Sequence, residues 1–256
     1  MSDKPCLEGK IAVVFGGAGR IGKAAAEAFL SKGASVLLVD KIEQKLNAIL
    51  REFIPIYPGK CEILSLEIDS QEKAKELGDF VRSKYGRADI LLNAPAYISR
   101  APFLDYPIEE MDKQWQANFR IVYMVSQEIA RIMAEGRSGK IINIASIGGI
   151  KPEKGHAGHS AVKAALIALT KVMALELAEY NVQVNAIAPG PTETRPFSSN
   201  YYNEHPLELK NIEDRTPLGR IGSPQDHVGL LVFLASSQSD WTTGQIIPSD
   251  GGLSLT

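Results

Sequence analysis

Cysteine is scarce: Cys6 and Cys61 are the two in a chain of 256 residues. They lie far apart and lack the paired spacing of a metal site, which argues against a disulfide scaffold and against zinc. Long apolar runs are missing too. None approaches the ~18 residues of a membrane-crossing helix, so no membrane partner is expected. The chain also lacks an excess of basic charge. Its 28 Lys and Arg against 30 Asp and Glu give a formal net charge of −2, and nucleic acid is not an expected partner. The first residues, Met1-Ser2-Asp3-Lys4-Pro5-Cys6, hold no apolar signal core, which points to a cytoplasmic protein. No linker, repeat or low-complexity tract interrupts residues 1–256, which are read as one domain.

What the chain does have is a regular alternation of short apolar runs and amphipathic stretches. Ile11–Phe15 is a continuous apolar run ending in glycines, as expected of a strand covered on both faces. Ile21, Ala25, Ala28 and Phe29 follow at helical spacing. Further strands are expected at Ser35–Val39, Cys61–Ile68, Ile90–Leu92, Lys140–Ala145, Val182–Ala188 and around Ile246-Ile247. Helices are expected at about 41–52, 71–84, 108–135 and 160–179. This rhythm predicts an α/β fold, a doubly wound parallel sheet of about seven strands with helices on both faces. A polar stretch at about 195–216, containing Phe197, Tyr201 and Tyr202, lacks strong periodicity. It reads as an excursion over the substrate side.

Phe15-Gly16-Gly17-Ala18-Gly19-Arg20-Ile21-Gly22 joins the first strand to the first helix. Glycines there allow a tight turn and a close backbone approach, and a helix N-terminus favours a pyrophosphate. Asp40 closes the second strand about 20 residues later, where a carboxylate meets adenosine ribose hydroxyls in dinucleotide-binding folds. A helix N-cap is the other reading of Asp40.

These residues resemble the short-chain dehydrogenase/reductase family, whose turn reads Thr-Gly-x-x-x-Gly-x-Gly. Further matches follow in the family's order over essentially the whole chain: Asn118 in Gln116-Ala-Asn-Phe119, Ser146, Lys163, Pro189-Gly190 with Thr194, Pro217-Leu-Gly-Arg220, Thr243-Gly244 and Asp250-Gly-Gly252. The resemblance implies a single-domain Rossmann fold that binds a nicotinamide dinucleotide. It places the cofactor contacts at Gly16, Arg20, Ile21, Gly22, Asp40, Glu67, Ile68, Asn93, Lys163, Pro189, Gly190, Thr192 and Thr194. Asp40 favours NAD over NADP, because a carboxylate ~4 Å from a 2′-phosphate costs up to ~4 kcal/mol at an effective dielectric of ~20. Lys41 and Arg20 oppose that preference. Arg20 itself stands where the family has glycine, and two readings remain open: its guanidinium binds cofactor phosphate, or its side chain fills the groove that the pyrophosphate needs.

The resemblance also implies a catalytic set of Asn, Ser, Tyr and Lys, corresponding here to Asn118, Ser146, His159 and Lys163. His159-Ser-Ala-Val-Lys163 aligns with Tyr-x-x-x-Lys without a gap, so histidine replaces the tyrosine that exchanges the substrate's proton. Phe15, Arg20 and Ala94-Pro95-Ala96 depart from the family pattern as well, and Pro95 removes an amide donor from a supporting turn. Together the departures imply a catalytically impaired subunit that acts beside an active paralogue in a hetero-oligomer, with a homo-oligomer as the alternative. Two-subunit hydroxyacyl-CoA dehydrogenases would suit such a chain. The small-molecule substrate is expected to be an alcohol or ketone. The competing readings are an autonomous NAD(P)-dependent dehydrogenase using His159 as acid/base, and a nucleotide-binding sensor without turnover. Association is expected through the helices at about 108–135 and 157–179 and through the last strand. His156, His159 and Glu153 lie close in sequence, but a glycine-containing helix entrance is poor scaffolding for a metal, and none is expected.

Overall fold

The computed structural model describes residues 6–193 and 205–256. Seven parallel strands form one sheet in the order β3-β2-β1-β4-β5-β6-β7. They are β1 (Ile11–Phe15), β2 (Ser35–Asp40), β3 (Cys61–Ser65), β4 (Ile90–Asn93), β5 (Gly139–Ile144), β6 (Val182–Pro189) and β7 (Ile246–Ser249). Among the described residues, the α-helices are α1 (Arg20–Ser31), α2 (Glu43–Phe53), α3 (Gln71–Tyr85), α4 (Ile108–Trp115), α5 (Ile121–Gly136), α6 (Ala157–Leu177), α7 (Pro206–Arg215) and α8 (Pro224–Ala235).

Alternation along each strand builds two cores. Ala12 and Val14 pack with Phe29 of α1, Phe53 of α2 and Leu231 of α8 on one face. Val13 and Phe15 pack with Leu77 of α3, Ile129 of α5 and Ala174 of α6 on the other. Successive side chains of a strand point to opposite faces, so an uninterrupted apolar run requires helices on both sides. The doubly wound architecture expected from the sequence is the one observed.

The chain winds outward from β1 to β2 and β3, then returns to β4 on the other side of β1. Phe15 is in register with both Val39 and Asn93. The strand order therefore reverses between β1 and β4, and a crevice opens at their carboxyl ends, where open α/β sheets bind ligands.

Three expectations are refined or corrected. The third strand ends at Ser65 rather than Ile68; the Leu66 amide still donates to the Asp40 carbonyl at 3.0 Å, and the chain then leaves the sheet. The region at about 108–135 is helical as expected, but it is not α-helical throughout. A π-helical turn, Gln116–Arg120, separates α4 from α5. Within the stretch at about 195–216, Pro206–Arg215 form α7, with proline in the first turn and Arg215 in the last, positions that suit both residues. Phe197, Tyr201 and Tyr202 lie outside the described residues.

Candidate active site and dinucleotide cleft

The glycine turn occupies the crevice. Gly16 adopts φ +78°, and a Cβ there would lie 2.6 Å from the Ala94 carbonyl carbon and the Pro95 nitrogen. A Cβ on Gly22 would collide with the Gly16 carbonyl oxygen. Only glycine fits either place, because the turn is pressed between β4's exit and the start of α1. The Gly16 and Gly17 amides donate to the Val39 carbonyl at 2.9 and 3.1 Å, which ties the turn to β2.

Asp40 completes that tie. One carboxylate oxygen accepts from the Ala18 amide at 3.2 Å, the other from the Ile42 amide at 3.1 Å. The side chain thus braces the glycine turn as well as the entrance to α2. Lys41, which the sequence offered as an offset to Asp40, instead pairs with Glu67 at 2.9 Å. Glu67 is therefore engaged by an exposed lysine, while Ile68 is buried beside it.

Helix α1 begins at Arg20, with Gly19 as N-cap, no capping side chain and no acidic residue in its first turn. The positive end of the helix dipole, with the Ile21 and Gly22 amides in that turn, faces the crevice, and the turn itself carries no carboxylate. Such an end, beside a turn that requires glycine, fits the phosphates of a dinucleotide. Arg20 does something the sequence did not foretell. Its Nη1 donates to the Glu193 carbonyl at 3.3 Å and pairs with the Glu193 carboxylate at 3.2 Å.

At the other end of the crevice, Ser146 follows β5 and its Oγ accepts from the Gly148 amide at 3.0 Å. His159 and Lys163 sit one turn apart on α6. A Cβ on Gly148 would be 3.4 Å from both His159 Cδ2 and Ser146 Oγ, so imidazole and hydroxyl border the same small space. His159 is 7% exposed, and among the described residues its Nδ1 has no hydrogen-bond partner. Burial, then the positive charge of Lys163, push its pKa down to about 3. The Lys163 ammonium donates to the Ile144 carbonyl at 2.7 Å, and burial brings its pKa down to about 8.

Asn118 lies at the centre of the π turn, fully buried. Its Nδ2 donates to the Tyr97 and Gln114 carbonyls at 2.7 and 3.0 Å, and its Oδ1 accepts from the Tyr97 amide at 3.0 Å. The side chain thereby fixes the loop after β4. Asn93 is inside the sheet, where its Nδ2 donates to Ser126 Oγ and Asn143 Oδ1, both at 2.9 Å. Glu153 pairs with Arg215 at 2.9 Å.

Pro189 ends β6, and the Gly190 amide donates to the Ser249 carbonyl at 3.1 Å. Beyond it, the Thr192 hydroxyl donates to the Gly190 carbonyl at 2.8 Å and meets His227 Nε2 at 3.0 Å. Nε2 is thus the donor, and Nδ1 accepts from Ser249 Oγ at 2.8 Å. Sequence reading missed His227 and Ser249, which stand on α8 and β7, far along the chain from Thr192. Glu193 was missed too, although a carboxylate two residues beyond Pro189-Gly190-Pro191 was a visible signal. Thr194 lies outside the described residues.

Comparison with known proteins agrees with this geometry. The family model described as enoyl-(acyl carrier protein) reductase matches residues 16–254. A 3-oxoacyl-[acyl-carrier-protein] reductase of Thermotoga maritima is 35% identical, with 96% of this chain and 98% of that protein aligned. An NAD-dependent glycerol dehydrogenase of Listeria innocua is 32% identical over 96% of this chain and 94% of that protein. Among solved structures, a gluconate 5-dehydrogenase from Burkholderia cenocepacia in complex with NADP and tartrate superposes with a TM-score of 0.93. It is 29% identical, and the match covers 99% of this chain and 98% of that one. With its sheet order, its glycine turn and these whole-length matches, the chain belongs to the short-chain dehydrogenase/reductase family.

Proposed function

We propose that this chain is a subunit of an NAD-linked oxidoreductase acting on an alcohol or ketone, that its own active site is catalytically impaired, and that it works beside an active paralogue in a cytoplasmic hetero-oligomer. The observation that carries this reading is the state of His159. Burial and the Lys163 charge hold the imidazole neutral at pH 7, and a neutral ring is a far weaker acid toward a ketone oxygen than an imidazolium. As a base it is equally mismatched, because proton transfer is efficient when the group's pKa lies near the working pH.

The dinucleotide, when bound, supplies the nicotinamide that exchanges hydride with substrate. Gly16, Gly22 and the α1 N-terminus would hold its phosphates, and Asp40 would face the adenosine ribose, favouring NAD over NADP. Ser146 would orient a substrate oxygen, and Lys163 would approach the nicotinamide ribose. Asn118 holds the loop after β4 in place. His159 leaves this set without its proton donor, which is worth about 10²–10⁴-fold in rate.

Exposed apolar side chains favour a partner. Trp115 of α4 and Tyr123 of α5 are exposed, each with its ring tilted against the half-buried Phe119 of the π turn at centroid separations of 4.6 and 6.5 Å, and Val172 and Leu175 project from α6. Two-subunit hydroxyacyl-CoA dehydrogenases, 2-[hydroxy(phenyl)methyl]succinyl-CoA dehydrogenase among them, are the class of assembly we propose. The test is turnover of NAD by the purified chain across a panel of alcohols and hydroxyacyl thioesters. The reading expects nucleotide binding without turnover, and equal inactivity of the native chain and His159→Ala. Robust turnover that His159→Ala abolishes would establish the autonomous enzyme instead.

A further inference from the structure

Residues at the exit of β6 cross the crevice to meet the glycine turn. In the sheet, β4 and β5 stand between β1 and β6, so a contact from Arg20 to Glu193 spans the mouth of the cleft that the dinucleotide reading assigns to the cofactor. Arg20 is held at two points of one residue, the Glu193 carbonyl and its carboxylate.

Glu193 is presented by a firm support. Its amide donates to the Gly222 carbonyl at 3.0 Å, and the Gly222 amide donates to the Pro191 carbonyl at 2.9 Å. Thr192 is bridged to Gly222 and is fastened through its hydroxyl to the buried His227, itself fastened to Ser249. Three elements, β6, α8 and β7, therefore fix the backbone from which the carboxylate reaches Arg20. The first turn of α1 has no carboxylate of its own, so Glu193 is an acidic side chain brought to that positive end from a distant part of the chain.

We propose that Glu193 is a resident anion of the phosphate cleft: it occupies Arg20 in the free protein, and a nicotinamide dinucleotide binds only after its pyrophosphate displaces the carboxylate from the guanidinium. This rests on the reading of the cleft as a dinucleotide site. Both open readings of Arg20 then describe one residue in two states. Paired with Glu193, the side chain lies across the groove; released, it is a phosphate ligand. Arg20 and Glu193 are 40% and 46% exposed, so the pair can open without disturbing a core. Glu193 thereby becomes a determinant of nucleotide affinity.

The test is a fluorescence titration of NADH, with inorganic pyrophosphate as a competing probe, against four forms of the full chain: native, Glu193→Gln, Arg20→Gln and the double variant. The proposal expects Glu193→Gln to bind NADH and pyrophosphate about twofold to fivefold more tightly, the span of one partly exposed charge. Arg20→Gln should weaken both ligands, and Glu193→Gln should then give no further gain. Unchanged or weaker binding by Glu193→Gln overturns the proposal. An equal gain with and without Arg20 overturns it too, since the carboxylate would then act by direct repulsion. If no form binds either probe, the dinucleotide reading itself falls, and the proposal with it.

Discussion

At His159, burial and neighbouring charge act in the same direction. The ring is enclosed, Lys163 stands one turn away, and both disfavour the imidazolium. Its folded pKa, about 3, lies below the unfolded value of ~6.5. The neutral ring is therefore the folded form, and its contribution to stability is complete above ~6.5 and is lost as pH falls towards 3. His156 and His227 are shifted the same way and form a common background. Compared with native protein, His159→Asn should lose about 2 kcal/mol less stability between pH 7 and pH 5, read as the change in urea midpoint. Equal acid sensitivity of the two would contradict the buried neutral ring. The residue substitution itself was legible, since Tyr-x-x-x-Lys leaves no ambiguity of spacing. Its enclosed state was not, because Gly148 and Ser146, which border the ring, are more than ten positions away.

At the scale of elements, the glycine turn was the most legible part. A turn that admits no Cβ must be written in glycine, whereas a side chain's partners leave no such mark. Gly16→Ala should destabilise the protein by about 2 kcal/mol or more, through a left-handed backbone and a collision with Ala94 and Pro95. Chemical denaturation measures this, and an unchanged midpoint would mean that the turn relaxes freely. Phe29 on α1 is fully buried; Phe29→Ala should cost about 3–5 kcal/mol in the same assay, against little change for the exposed Leu207→Ala. The π turn at Gln116–Arg120 stayed hidden because one extra residue scarcely disturbs apolar spacing over a long helical stretch. Such turns recur at functional sites, and here it carries Asn118. The Thr192–His227–Ser249 chain was illegible for another reason: three polar residues on separate elements show no common pattern until the sheet brings them together.

Across the whole molecule, helices pack on both faces of the sheet, yet the outer surfaces of α4, α5 and α6 retain large apolar side chains. Leu175 is 80% exposed and Tyr123 46%, and Trp115, Phe119 and Tyr123 form a row of tilted rings across the π turn between α4 and α5. Large exposed apolar side chains of that kind are expected at an interface. Leu175→Asp combined with Tyr123→Asp should shift the assembly towards monomer in analytical ultracentrifugation while leaving the melting of the chain's own core nearly unchanged. Among the described residues no helix is long and apolar enough to cross a membrane. The measurement that tests the central claim most directly is native mass spectrometry of the protein purified from its own organism. The account predicts a hetero-oligomer in which the second chain is a short-chain dehydrogenase with an intact Tyr-x-x-x-Lys. A homo-oligomer of this chain alone, turning over NAD and an alcohol at the rate of an ordinary dehydrogenase, would contradict it.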